Sequence, residues 1–186
     1  MSESSGQRRE TAVEAAARRQ RSAAERVRAP VGVIGPREPT PQQYAIAEAV
    51  GAGLARIGCA VICGGRGGIM EAACKGAARE GGVSIGVLPE PDASVANAFV
   101  THVIATGIGE ARNAIIARAA LCLVAIGNSY GTLSEVALGR QFGKRVIGLD
   151  GAARVDGVVM AETVDEAIEL VAQCIIGTPS SDRAPK

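Results

Sequence analysis

Aromatic side chains are almost missing from this chain of 186 residues, which has no tryptophan, two tyrosines and two phenylalanines. An interior without large rings must be filled by Ala, Val, Ile and Leu, the side chains of parallel strands buried on both faces. Histidine occurs once, at His102, and no acids cluster near it in sequence. Neither a metal-ligand constellation nor a Ser-His-Asp or Cys-His pair can be assembled from this inventory, so no metal and no cofactor are expected. Net charge is also lacking, at a formal +1. No global field draws in nucleic acid or an acidic membrane, and neither is expected as a partner.

The five cysteines, Cys59, Cys63, Cys74, Cys122 and Cys174, contain no C-x-x-C pair. Most sit in apolar runs and read as small buried hydrophobes, which places the chain in a reducing, cytoplasmic compartment. The first residues carry no apolar stretch of the kind a signal peptide needs. No apolar run approaches the roughly 20 residues that span a bilayer.

What is present is an alternation. Short apolar runs read as strands at Val31–Gly35, Cys59–Cys63, Ser84–Leu88, Thr101–Ala105, Leu121–Ile126 and Arg145–Leu149. Helical patterns follow them over about 40–57, 68–80, 110–120, 132–142 and 164–175. Thr40-Pro-Gln-Gln43 and Thr163-Val-Asp-Glu166 spell helix starts, with Thr as N-cap and Gln or Glu reaching back. Strands alternating with helices of this length require right-handed crossovers. The expected fold class is therefore α/β, a three-layer, Rossmann-like, doubly wound and mostly parallel sheet over residues 30–176. Residues 1–29 mix Arg, Glu and Ala without large apolar residues and read as a disordered or loosely helical tail. Residues 177–186, rich in Ser and Pro, read as a flexible tail.

In a parallel sheet every strand-to-helix loop lies along one edge, where ligands bind. Glycine gathers in those loops. The second strand runs into Gly64-Gly65-Arg66-Gly67-Gly68, the fourth into Thr106-Gly107-Ile-Gly-Glu-Ala-Arg112-Asn113, and the fifth into Gly127-Asn128-Ser129-Tyr130-Gly131-Thr132. Gly35 closes the first strand at the same edge. Backbone comes close to a ligand at such turns, and the free N–H groups and dipole of the following helix favour an anion. The partner implied is a small phosphate-bearing molecule. No turn carries the Lys-Ser/Thr of a Walker loop, and none has the spaced glycines of the dinucleotide fingerprint, which disfavours both a triphosphate hydrolase and an ordinary NAD dehydrogenase.

The ordered succession Gly64-Gly-Arg-Gly-Gly-Ile-Met-Glu71, Gly109-Glu-Ala-Arg-Asn113 and Gly127-x-x-Tyr-Gly-Thr-Leu-Ser-Glu135 resembles the LOG-like (lonely-guy) Rossmann proteins over about residues 30–175. That superfamily includes cytokinin riboside 5′-monophosphate phosphoribohydrolases and molybdenum cofactor carrier proteins. The resemblance implies a homodimer with its site near the subunit interface. It also implies hydrolysis of a nucleoside monophosphate's N-glycosidic bond, with Arg112 and Glu135 as the catalytic pair. Where the hydrolases carry Pro-Gly-Gly, this chain has Gly127-Asn128-Ser129, so side chains stand where the family's backbone meets phosphate. Gly-Glu-Ala-Arg-Asn is closer to the carrier proteins.

Several of these residues have a second reading. Thr132-Leu-Ser-Glu135 is also a capping box, which would make Glu135 a cap rather than a carboxylate acting at a sugar. Arg112 could pair with Glu110 or Glu71, although an arginine in a helix's first turn opposes the dipole and points to an anion. Arg66 is a candidate phosphate contact. Tyr130 could stack on a base or pterin or pack on the surface, and Met70 reads as packing beneath the ligand. His102 lies mid-strand, away from the loop edge. The main reading is a phosphoribohydrolase that releases base and ribose 5-phosphate, favoured because Arg112 and Glu135 are both present; the alternative is a non-catalytic carrier that stores a pterin or nucleotide using the same loops.

Overall fold

The computed structural model describes residues 9–179. Its core is a seven-stranded sheet, every pair of which is parallel. In chain order the strands are β1 (Val31–Ile34), β2 (Val61–Cys63), β3 (Ser84–Leu88), β4 (His102–Ala105), β5 (Leu123–Ile126), β6 (Val146–Leu149) and β7 (Val158–Met160). Across the sheet their order is β4-β3-β2-β1-β5-β6-β7. The chain thus builds outward from β1 in one direction, then returns to β1's other side and builds outward in the other. The crevice between β1 and β5 is where a doubly wound sheet opens for a ligand.

The helices are α1 (Ala12–Arg21), α2 (Pro41–Arg56), α3 (Ile69–Arg79), α4 (Asn113–Ala119), α5 (Tyr130–Gln141) and α6 (Val164–Gly177). Two apolar clusters form the layers. One joins Val31, Val33, Val124 and Ile147 to Leu54 of α2, Ile69 and Cys74 of α3, and Val171 and Ile175 of α6. The other joins Ile34, Val87, Leu123 and Ala125 to Ile116 of α4 and Val136 of α5. Glycine and alanine let the first layer close tightly: a Cβ on Gly51 or Gly76 would strike the backbone of Ala73 or Glu48 on the facing helix. Cys63 and Cys74 meet inside this layer, sulfur to sulfur at 3.5 Å, and all five cysteines are free.

Three expectations change. First, the arginine-rich start is not a loose tail over its described part. Thr11 and Glu14 form a full capping box, and Ala16 is wholly buried and belongs to the first apolar cluster. Arg19 then clips α1 down by donating Nη1 to the carbonyls of Ile175 (2.8 Å) and Ile176 (3.2 Å). A helix of alanines buries a face by close approach, without large side chains. The remainder of that tail, 1–8, lies outside the described residues, as does 180–186; α6 itself continues to Gly177. Second, β7 was unanticipated, because three residues between polar turns are too short to carry a strand pattern. Third, the helix expected over 110–120 begins as a 3₁₀ turn, Gly109–Arg112, and becomes α-helical at Asn113.

Candidate functional site

At the carboxyl ends of β1 and β5 lies an open cleft of about 630 Å³, within the usual range for small-molecule sites. Three segments wall it: the loop after β1 (Gly35 to Glu38), the turn into α4 (Glu110, Arg112, Asn113) and the start of α5 (Ser129 to Glu135). Met70 of α3 forms part of the wall between them.

The α5 end supplies backbone donors. Ser129, not Thr132, is its N-cap; the Ser129 hydroxyl accepts from Thr132 N–H at 3.1 Å and shares a 2.8 Å bond with the Thr132 hydroxyl. Leu133 N–H is taken by the Ser129 carbonyl. The N–H groups of Tyr130 and Gly131 therefore stand at the cleft wall with no acceptor among the described residues, as first-turn amides do unless a cap or ligand meets them. Tyr130 is 94% exposed beside the cleft.

With Ser129 as the cap, Glu135 lies one and a half turns into α5 and takes no part in a capping box. Its side chain is 8% exposed and faces the Arg112 guanidinium at 3.5 Å. Burial pushes the Glu135 carboxyl up to about 7, against the opposing pull of Arg112 and with a further small push from Glu110. Arg112 is committed elsewhere: its Nη1 donates to Asn113 Oδ1 at 2.5 Å. Asn113 donates to the Ser134 hydroxyl (3.0 Å), which donates to the Gly131 carbonyl (2.7 Å). This chain of directed bonds ties the arginine to the amide end of α5. Arg112 Nε is buried with no acceptor among the described residues, a rare condition for a charged group. The arginine fits here because residue 64 is glycine: a Cβ there would come within 2.5 Å of Nη2 and 2.6 Å of the Met70 sulfur.

The structure gathers Gly35, Arg112, Asn113, Ser129, Tyr130, Gly131, Thr132 and Glu135 around one cleft. The other expected contacts lie elsewhere. Arg66 is paired with Glu90, and Asn97 donates to the carbonyls of Gly65 and Arg66, so a neighbouring loop covers that turn. Gly67 lies in the same turn and does not line the cleft. Gly68 supports it from behind, at φ +72°: its missing side chain leaves room for the Pro36 and Arg37 carbonyls, and Ile69 N–H holds Pro36 O at 3.2 Å. Gly107 bonds back to the loop after β3, through Glu90 O. Gly127 is buried against Gln43 and hydrogen-bonded to Leu149 and Asp150, while Asn128 is exposed and does not line the cleft. Arg112 pairs with Glu135 and Asn113 rather than with Glu110 or Glu71. His102 opens β4, at the opposite edge of the sheet.

Sequence reasoning missed Pro36, Arg37, Glu38 and Ser134. The loop after β1 has no glycine cluster to mark it; its importance comes from β1 lying beside β5. Among the described residues no group of three His, Cys, Asp or Glu could hold a metal, and no helix is long and apolar enough to cross a membrane.

Comparison with known proteins gives the same frame. The model of the SLOG cluster4 family matches residues 28–176. An uncharacterized protein of Archaeoglobus fulgidus is 41% identical over 138 residues, 74% of this chain and 91% of that one. The molybdenum cofactor binding protein of Rippkaea orientalis superposes with a TM-score of 0.76 at 35% identity, over 80% of this chain and 99% of its own. The molybdenum cofactor carrier protein of Chlamydomonas reinhardtii does so with a TM-score of 0.74 at 36% identity, again over 80% and 99%.

Proposed function

This chain belongs to the SLOG cluster4 family, and from that premise we propose that it is a carrier, binding a phosphate-bearing pterin of the molybdenum cofactor type and releasing it unchanged. The observation that carries this reading is the unmet donor capacity at one cleft: the Tyr130 and Gly131 amides at the start of α5, with Arg112 lining the wall beside them. Such donors suit a phosphate, and a cleft of about 630 Å³ leaves room for a fused ring beside it. Tyr130, fully open to solvent, is free to lie on that ring. The named relatives at 35% and 36% identity support cargo of this kind.

A second reading, hydrolysis of a nucleoside 5′-monophosphate, has one observation in its favour: Glu135 is not a helix cap and faces Arg112 across the cleft wall. Against it, a carboxyl pushed up to about 7 is half neutral at physiological pH, whereas steadying an oxocarbenium-like centre needs the anion. The chain is further proposed to work as a homodimer, for which Ile108 and Ile115, exposed on the segment carrying Arg112, offer apolar surface.

The test is a pair of incubations. Protein mixed with molybdenum cofactor freed from a molybdoenzyme is passed through gel filtration and assayed for oxidised-pterin fluorescence; the same protein is given AMP and an N6-substituted AMP, and released base is sought by chromatography. Co-eluting pterin with no base released is expected. Base released at a rate that falls in Glu135→Gln, with no pterin retained, would replace the carrier by the hydrolase.

A further inference from the structure

We propose that the cleft takes up its anionic ligand together with one proton, which lodges on the Glu135 carboxylate. The inference rests on the reading that the cleft binds a phosphate-bearing ligand, and adds to it a second, titratable participant.

The geometry begins with an ion pair that is not closed. Glu135 is almost wholly buried, yet its one polar contact among the described residues is the 3.5 Å approach of Arg112 Nη1. That nitrogen's short bond, 2.5 Å, goes to the neutral amide of Asn113. Because the Asn113–Ser134–Gly131 relay fixes the guanidinium independently of Glu135, the arginine stays in position whichever charge state the carboxyl adopts. Its Nε has no acceptor among the described residues. Arg112 thus stands between a carboxylate it serves weakly and the cleft whose wall it lines.

A dianion meeting Arg112 and the α5 amides changes the surroundings of Glu135 in two ways. It draws on the single positive charge that offsets the carboxylate, and it adds negative charge nearby. Among the described residues Arg112 is the one cation that acts on the Glu135 carboxyl. From the α4 side the remaining charge is Glu110, which itself disfavours the anion; the loop after β1 brings Arg37 and Glu38, of opposite sign, and α3 brings only neutral Met70. A buried carboxylate left without its own cation takes a proton. Charge and atoms balance simply: protein, ligand dianion and one solvent proton give the complex, and release of the ligand returns the proton. Burial already holds the free carboxyl at about 7, so a further rise brings the linkage into the neutral range. Affinity then falls up to about tenfold for each pH unit above that value, until the bound-state value is reached.

The intact protein carrying carboxyl-¹³C glutamate is titrated by NMR, with the Glu135 signal assigned by its loss in both Glu135→Gln and Glu135→Asp. Sulfate serves as probe because it stays a dianion throughout the range, with chloride at equal ionic strength as control. The Glu135 midpoint is expected to move up by about one pH unit or more in saturating sulfate. A midpoint that stays in place, or falls, overturns the proposal. Pterin binding measured across about pH 7 to 8.5 separates the two claims. Tight binding that is flat with pH removes the proton and leaves the carrier; absence of pterin binding with an upward shift in sulfate removes the pterin and leaves the coupled anion site.

Discussion

Glu135 concentrates the residue-scale argument, because its position relative to the helix cap decides what it can do. Thr132 and Glu135 have the spacing of a capping box, and the sequence alone does not exclude that arrangement. The structure starts α5 three residues earlier, at Ser129, and sends Glu135 inward to Arg112. The cost of that burial is measurable. In the unfolded chain the carboxyl titrates at its ordinary 4.5, in the folded one at about 7. Between these values the native state holds the extra proton, so stability falls as pH rises, and the full penalty is present above about 7. From the size of the shift the penalty is about 3 kcal/mol. Urea denaturation at pH 5 and pH 8 is expected to show this loss in the native chain and a much smaller one in Glu135→Gln. Equal pH dependence in both would mean that the carboxyl is not buried as described. Arg112 and Glu135 were legible as a pair because their motifs are distinctive. Gly64 was legible only as a turn glycine; that its bare face seats Arg112 and Met70 is a fact of packing between distant segments.

Elements follow local chemistry closely. The capping box at Thr40 and the Thr163 N-cap start α2 and α6 where the sequence places them, and all six anticipated strands end at the residue expected or within one of it. What failed were elements whose stability is tertiary. α1 has the composition of a tail, yet Ala16 packs to zero exposure and Arg19 binds carbonyls at the end of α6. Removing residues up to 28 is expected to lower stability by on the order of 2–3 kcal/mol, the scale of that burial and those hydrogen bonds. Ligand binding should be unchanged, because α1 docks on α6, away from the cleft; calorimetry on the truncated chain checks both halves. At the other end of the fold, Ser129→Ala removes the α5 cap and should cost about 1 kcal/mol. It frees another first-turn amide and lets the Thr132 hydroxyl turn, so the chemical-denaturation midpoint should fall and anion affinity should change with it. A change in stability alone would mean that α5 does not meet the ligand.

Across the whole molecule, the sheet order does what no local reading could. Three glycine turns share one edge, but an edge of seven strands is long, and only the β1–β5 junction opens into the cleft. The turn at Gly64–Gly68 ends up as scaffold, because Asn97 and Glu90 from the β3–β4 connection cover it. The loop after β1, plain in sequence, becomes a wall of the site because β1 is where the winding reverses. The central claim is that one anion is held jointly by the start of α5 and by Arg112 at that reversal. The most direct measurement is a crystal structure with a pterin monophosphate bound. The account predicts phosphate oxygens within hydrogen-bonding reach of the Tyr130 and Gly131 amides and of Arg112; phosphate in the Gly64–Gly68 turn would contradict it.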